Sequence, residues 1–193
     1  AGERLLRATA RPNPGLAHTS LRYFNVVGSG SPRIADHSPH NLFPKVMRAL
    51  SAGETPVIHG DDYPTADGTC IRDYIHVVDL ADAHLAAARR LAAGEPTGEA
   101  YNVGRGSGSS VREVLEAIAR ITGIAFTPRV GPRRAGDPAR IVGAVDRIAA
   151  DFGWRARHDL DDMIASAWEA WRYQRERWGG APPNGARLAI ARV

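Results

Sequence analysis

The sequence predicts a mixed α/β fold in which short strands alternate with helices. Three observations carry that expectation. Residues 19–27 are β-branched and aromatic and run straight into Gly28-Ser29-Gly30, the profile of a buried strand that empties into a loop. The stretches after Asn41 and after Asp159 place apolar residues at i, i+3 and i+4, as amphipathic helices do. Between them, Ser110-Val111-Arg112-Glu113 has the spacing of a capping box, in which the Ser hydroxyl and the Glu carboxylate each satisfy the other's backbone N–H.

The remaining elements follow in order. Residues 1–10 form a helical pattern through Leu5, Leu6 and Ala8, stopped by Pro12 and Pro14. Residues 30–41 hold Pro32, Asp36, Pro39 and two histidines and read as a surface loop on its way to a site. Asn41 then caps a helix to about residue 52, with Phe43, Val46, Met47 and Leu50 on one face. Residues 56–60 form a short strand, 61–69 are dense in turn residues, and 72–77 return to a strand. An Ala-rich helix starts near Asp79 and stops at Gly94, and residues 100–103 form another strand. The helix opened by the capping box runs to Thr122. After it come a strand over 126–130, a basic loop over 131–137, a short helix over 146–152 and a last helix over 159–178. That last helix spaces Met163, Ile164, Ala167, Trp168 and Trp171 along one face, and the tail at 179–193 is expected to be disordered.

A chain of 193 residues with 44% hydrophobic and 24% charged residues suits one domain, or a large share of a two-lobed one. At that apolar content, burial offsets the ordering entropy and general disorder is excluded. No run approaches the roughly 18 apolar residues of a membrane span, and no basic segment leads an apolar one at the start. A soluble, cytoplasmic protein without a membrane partner is the expectation. Cys70 is the single cysteine, so an internal disulfide and a Cys-rich metal cluster are both excluded. No His-x-x-x-His or acidic cluster has metal-ligand spacing either. Lys+Arg 25 against Asp+Glu 21 gives +4, and Lys45 is the only lysine. This arginine surplus has two readings, a compositional bias toward Arg and Ala, and phosphate recognition by a few guanidinium forks. A nucleic-acid partner is not expected, because Arg172, Arg175, Arg177, Arg187 and Arg192 fall on a helix face and a tail, without base-stacking aromatics interleaved in a groove-like pattern.

Three segments could carry chemistry. Gly104-Arg105-Gly106-Ser107-Gly108-Ser109-Ser110 lies between a strand and a helix, where it is either a phosphate cradle or a turn feeding the capped helix. Arg72-Asp73-Tyr74-Ile75-His76 offers an Arg beside an Asp, either an exposed pair of little value or an Arg aimed at a ligand anion. His76 fits a packed histidine better than a base, and Cys70 a small core residue. Pro132-Arg133-Arg134-Ala135-Gly136-Asp137 is either a solvated loop or, with Arg72, one jaw of a diphosphate clamp.

Taken together, four blocks occur in one order: Leu21-Arg22-Tyr23-Phe24-Asn25-Val26-Val27-Gly28, Asn41-Leu42-Phe43-Pro44, the run from Ile58 through Asp62-Tyr63-Pro64-Thr65 and Arg72-Asp73-Tyr74-Ile75-His76-Val77, and Arg133-Arg134-Ala135-Gly136-Asp137. They closely resemble the C-terminal half of the UDP-glucose 4-epimerases, which are NAD-dependent extended short-chain dehydrogenases/reductases. The resemblance spans residues 1 to about 173 and implies an NAD(P)-binding Rossmann-like fold. On that reading residues 1–28 end the Rossmann domain, and 29–178 are a substrate-binding C-terminal region with interleaved Rossmann elements. In the family, NAD takes a hydride from C4 of the sugar while a Tyr, lowered in pKa by a Lys, takes the hydroxyl proton. The keto sugar then turns over and is reduced from its other face.

The resemblance further implies that Asn25 and Asn41 hydrogen-bond the diphosphate or sugar, with Leu42 on the uridine side. Val57 and His59 flank the uracil, Arg72 and Arg134 neutralise the diphosphate, Asp137 meets the uridine ribose, and Tyr23 lies near the nicotinamide. His59 stands where a Phe or Tyr is expected and still offers a flat ring. The family's Gly-x-x-Gly-x-x-Gly loop and Tyr-x-x-x-Lys pair do not occur in these 193 residues, and the start Ala1-Gly2-Glu3-Arg4-Leu5-Leu6 reads as the middle of a helix. The expectation is therefore the UDP-sugar-binding part of such an enzyme, inactive alone, with a homodimer possible for the complete protein. Two other readings stand beside it, another nucleotide-sugar epimerase or dehydratase and a non-catalytic UDP-sugar-binding module.

Overall fold

A computed structural model describes residues 2–178, so the tail expected to be disordered lies outside the described residues. Helix α1 (Gly2–Ala10) is followed by strands β1 (Ser20–Tyr23) and β2 (Asn25–Val27), helix α2 (Leu42–Ser51) and strands β3 (Val57–His59) and β4 (Ile71–His76). Helix α3 (Val77–Ala92), strands β5 (Ala100–Val103) and β6 (Gly108–Ser110) and helix α4 (Val111–Thr122) come next. Strands β7 (Arg129–Gly131) and β8 (Arg140–Ile141) and helices α5 (Asp146–Phe152) and α6 (Leu160–Trp178) complete the described chain. None of the described helices is long and apolar enough to cross a membrane.

The alternation of β4 divides the interior in two. Successive side chains on a strand point to opposite faces, and accordingly Tyr74 packs with Phe43, Met47, Ile118, Met163 and Trp171, whereas Ile75 packs with Leu80, Tyr101, Val103 and Ile148. The first cluster joins α2, α4 and α6, and the second joins α3, β5 and α5. Strand β4 is shared along its length as well. Its first half pairs with β6 (antiparallel) and β8 (parallel), and its second half pairs in parallel with β2, Asn25 opposite Tyr74.

Asp73, fully buried on β4, ties these pieces together. Its carboxylate accepts backbone N–H groups from Arg105 at 2.9 Å, Gly106 at 3.1 Å and Gly143 at 3.1 Å. Gly104 is required there, since a Cβ would sit 2.5 Å from Asp73 Oδ2. The two readings of the glycine-rich segment are thus decided by occupancy. Its Arg105 and Gly106 amides are spent on an internal carboxylate, and the segment feeds the capped helix α4 as the turn reading has it, with its last three residues forming strand β6.

Other departures have equally local causes. The single strand expected over 19–27 breaks at Phe24, where the ladder changes partner from β5 to β4. The strand expected over 126–130 shrinks to β7, because its partner β3 is three residues long and Pro128 has no N–H to donate. Asn41 occupies the N-cap position of α2, but its side chain donates to Asp36 Oδ2 at 2.7 Å instead of accepting from the helix. Strand β8 was not expected, two residues being too few for any compositional signal. The capping box is present as predicted, with Ser110 and Glu113 each bonded to the other's backbone.

His76 is a structural cap. Its Nδ1 accepts the Val78 N–H at 3.0 Å, so the neutral ring carries its proton on Nε2, which faces Ser166 Oγ at 2.9 Å. Burial first, and His158 stacked at 4.2 Å second, hold its pKa below the ordinary value. The unfolded imidazole titrates near 6.5, so below that pH the unfolded state binds more protons and stability falls. We expect the melting temperature to drop between about pH 7.5 and about pH 5.5, and to drop less in His76→Asn, as thermal melts would read. Replacing Asp73 with Ala leaves three backbone amides, one of them buried, without their carboxylate, and denaturant titration should show a loss of about 3–5 kcal/mol. An Asp73→Ala chain as stable as the wild type would refute the role given to this carboxylate.

Candidate functional site

A cleft of about 270 Å³ opens where the start of α2, the ends of β2 and β3, the middle of β4 and the 131–137 loop converge. All eight residues to which the sequence assigned substrate contacts line it. Asn25 comes from β2, Asn41 and Leu42 from the entry to α2, Val57 and His59 from β3, Arg72 from β4, and Arg134 and Asp137 from the loop. The period-2 geometry of β3 explains why Val57 and His59 face the cleft together across buried Ile58. Tyr23 is not among the lining residues. It sits on β1, about half exposed, with its ring tilted toward His84 at 6.2 Å.

Each charged wall is positioned by a separate device. Arg72 donates Nη1 to the Ile71 carbonyl at 2.7 Å and Nη2 to Asp137, which draws the loop onto β4. Arg133 turns the other way, with Nε on Asp62 Oδ1 at 2.6 Å and its guanidinium 4.2 Å from the Tyr63 ring centroid. Of the two consecutive arginines one is therefore a strut, and only Arg134 belongs to the cleft. Asn25 donates Nδ2 to the Asp73 carbonyl at 3.2 Å, which fixes it against the strand that carries Arg72.

Three lining residues are cations at neutral pH, Lys45, Arg72 and Arg134, against one carboxylate, Asp137. Burial, followed by the nearby Arg134, pushes the His59 imidazole below its ordinary pKa. The ring is then neutral at pH 7 and presents a flat face beside Val57. Burial also lifts the Tyr74 hydroxyl to about 12, so it stays protonated. The site is a cationic slot with an uncharged aromatic end, which suits an anionic ligand bearing a planar group. Sequence reasoning missed Lys45 as a lining residue. The signal was its spacing, four residues after Asn41 and three after Leu42, which puts all three on one side of the first helical turns.

A profile of the NAD dependent epimerase/dehydratase family matches residues 1–104, more than half of the chain, and the chain belongs to that family. It is 43% identical over 159 residues to a UDP-glucose 4-epimerase of Halalkalibacterium halodurans, covering 80% of this chain and 47% of that protein. It is 41% identical over 159 residues to one from Lacticaseibacillus casei, covering 80% and 48%. The structure superposes with a TM-score of 0.81 and 37% identity on a UDP-glucose-4-epimerase of Stenotrophomonas maltophila with bound NAD and formylated UDP-arabinopyranose, covering 93% of this chain and 54% of that one. The chain thus spans about half the length of the relatives it matches.

The described residues do not by themselves make a dinucleotide cradle. The glycine-rich loop between β5 and β6 is closed by Asp73, and Tyr23 alone presents an aromatic face on β1. For the cleft the expectation is direct. Arg134 is exposed and makes no ion pair among the described residues, so Arg134→Ala should leave stability within about 0.5 kcal/mol. The same change should weaken inorganic pyrophosphate binding about 10- to 100-fold, as calorimetry would measure.

Proposed function

We propose that this chain is the UDP-sugar-holding part of a UDP-glucose 4-epimerase, which interconverts UDP-galactose and UDP-glucose with NAD as its redox cofactor. The observation that carries the proposal is convergence. Eight residues scattered from position 25 to position 137 were assigned to one ligand on the resemblance alone, and all eight line one cleft. In this reading Arg72 and Arg134 grip the diphosphate, Asn25 and Asn41 hydrogen-bond the diphosphate or sugar, and Asp137 meets the uridine ribose. The uracil lies between Val57 and His59, with Leu42 beside it.

Tight hold on the nucleotide leaves the hexose free to turn over, so binding energy from the non-reacting part of the substrate supports the reaction at C4. The chain's own contribution is to bind and orient, because no Tyr-x-x-x-Lys pair occurs in its sequence. Tyr23, outside the cleft, is the residue we assign to the nicotinamide side. We further place the complete protein in the cytoplasm and as a homodimer, in keeping with its single cysteine and with the resemblance.

The 193-residue chain should bind UDP more tightly than ADP and show no turnover of UDP-galactose on its own. Joined to the part of a relative that carries the Tyr-x-x-x-Lys pair and the glycine-rich loop, it should interconvert UDP-galactose and UDP-glucose. Equal affinity for UDP and ADP, or turnover by the chain alone, would overturn the proposal. Turnover by the joined protein of some other UDP-sugar, but not of UDP-glucose, would shift the activity to another nucleotide-sugar epimerase.

A further inference from the structure

The eight residues assigned so far leave one charged member of the cleft without a role. Lys45, the only lysine in the sequence, lies half-buried on α2 and lines the same cleft as Arg134 and His59. The two other lining cations differ in how they are balanced. Arg72 is paired with Asp137, whereas neither Lys45 nor Arg134 has a carboxylate partner among the described residues. Two like charges therefore line one cleft with no carboxylate paired to either among the described residues, an arrangement that costs free energy until an anion arrives.

We propose that Lys45 is a phosphate-binding residue that shares one phosphoryl group of the ligand with Arg134, at the end of the cleft next to His59. This deepens, and rests on, the UDP-sugar reading of the cleft. Placement supports the assignment of that end. Lys45 on α2 and Arg134 on the 131–137 loop line the cleft together with His59 and Val57 of β3, whereas Arg72 stands on β4 and is tied to Asp137. Burial first and Arg134 second pull the Lys45 ammonium below its ordinary pKa, and a phosphate between the two cations reverses the second of these effects. The chemistry of the pair is complementary. The guanidinium offers a planar fork and the ammonium a compact point charge with three donors, so together they can reach two or three oxygens of one phosphoryl group.

Calorimetry on the full 193-residue chain with uridine, UMP, UDP, ADP and inorganic pyrophosphate tests this, for the wild type, Lys45→Gln and Lys45→Arg. Lys45→Gln should weaken UMP and UDP by similar factors, about 10- to 100-fold. It should leave uridine unchanged, and Lys45→Arg should restore most of the loss. A thermal melt of each variant shows that the fold is kept. If Lys45→Gln binds UDP as the wild type does, or loses uridine as strongly as UDP, the inference is overturned while the cleft's preference for UDP can still stand. If UDP weakens but UMP does not, the assignment of Lys45 to the phosphate beside the base is overturned. If the wild type binds UDP and ADP equally and both depend on Lys45, the inference holds and the UDP-sugar reading fails. A wild-type chain that binds none of the phosphorylated probes overturns both.

Discussion

The structure depends on the burial of one carboxylate. Asp73 lies inside the molecule with no cation paired to it among the described residues, and three backbone N–H groups from two separate loops supply what solvent would have supplied. A buried charge without such partners costs several kcal/mol. The loops after β5 and β8 are therefore held to β4 by electrostatics rather than by sequence neighbourhood. Because Asp73 is flanked on the strand by Arg72 and Tyr74, the same constraint aims both of those side chains toward the cleft. Asn25 is locked on by its bond to the Asp73 carbonyl. Folding and site construction are thus one problem at β4.

The cleft shows a division of labour among positive charges. Some arginines are structural. Arg133 spans Asp62 and the Tyr63 ring, Arg120 forks onto both oxygens of Asp161 at 2.7 Å, and Arg157 meets Asp82. Exposed pairs of this kind contribute little each, but they remove those cations from competition for a ligand. What remains at the cleft is a small set of cations reached from α2, β4 and the 131–137 loop. The anionic ligand proposed for the cleft would be met there from three sides. The arginines are thus divided between those paired within the fold, such as Arg120, Arg133 and Arg157, and those that line the cleft, Arg72 and Arg134.

Much of this was legible in the sequence, and for definable reasons. The helices announce themselves through periodicity and caps, and Ser110 with Glu113 gives the start of α4 to the residue. Motif order gave the lining of the cleft, since each block places a few side chains at fixed offsets on a strand or a helix start. What stayed hidden was partner choice. Nothing in residues 19–27 tells that the ladder switches edges at Phe24, and Gly108-Ser109-Ser110 has the composition of a turn until β4 pairs with it. Asp73 was invisible for the same reason. Next to Arg72 in sequence it suggests an ion pair, whereas Arg72 reaches Asp137 and Asp73 turns to amides on the opposite face, as alternation along a strand requires. Lys45 escaped notice because a lone lysine on a helix is ordinarily a solvated one.

The short parallel pair of β3 and β7 has a consequence beyond its size. Three residues on each side hold the base of the arm that carries Arg134, extended by the Gly60 N–H to Gly131 carbonyl bond at 2.9 Å. So small a ladder is weak by itself and belongs to the part of a protein that opens first. Its far end is latched by Arg72 to Asp137 and by Arg133 to Asp62. In the proposed UDP-sugar reading, a ligand held by Arg134 would be a third latch, and part of its binding free energy would be local folding free energy of this arm. That reading ties the order of the cleft's rim to its occupancy, so that ligand release and fraying of the arm would be two views of one opening event.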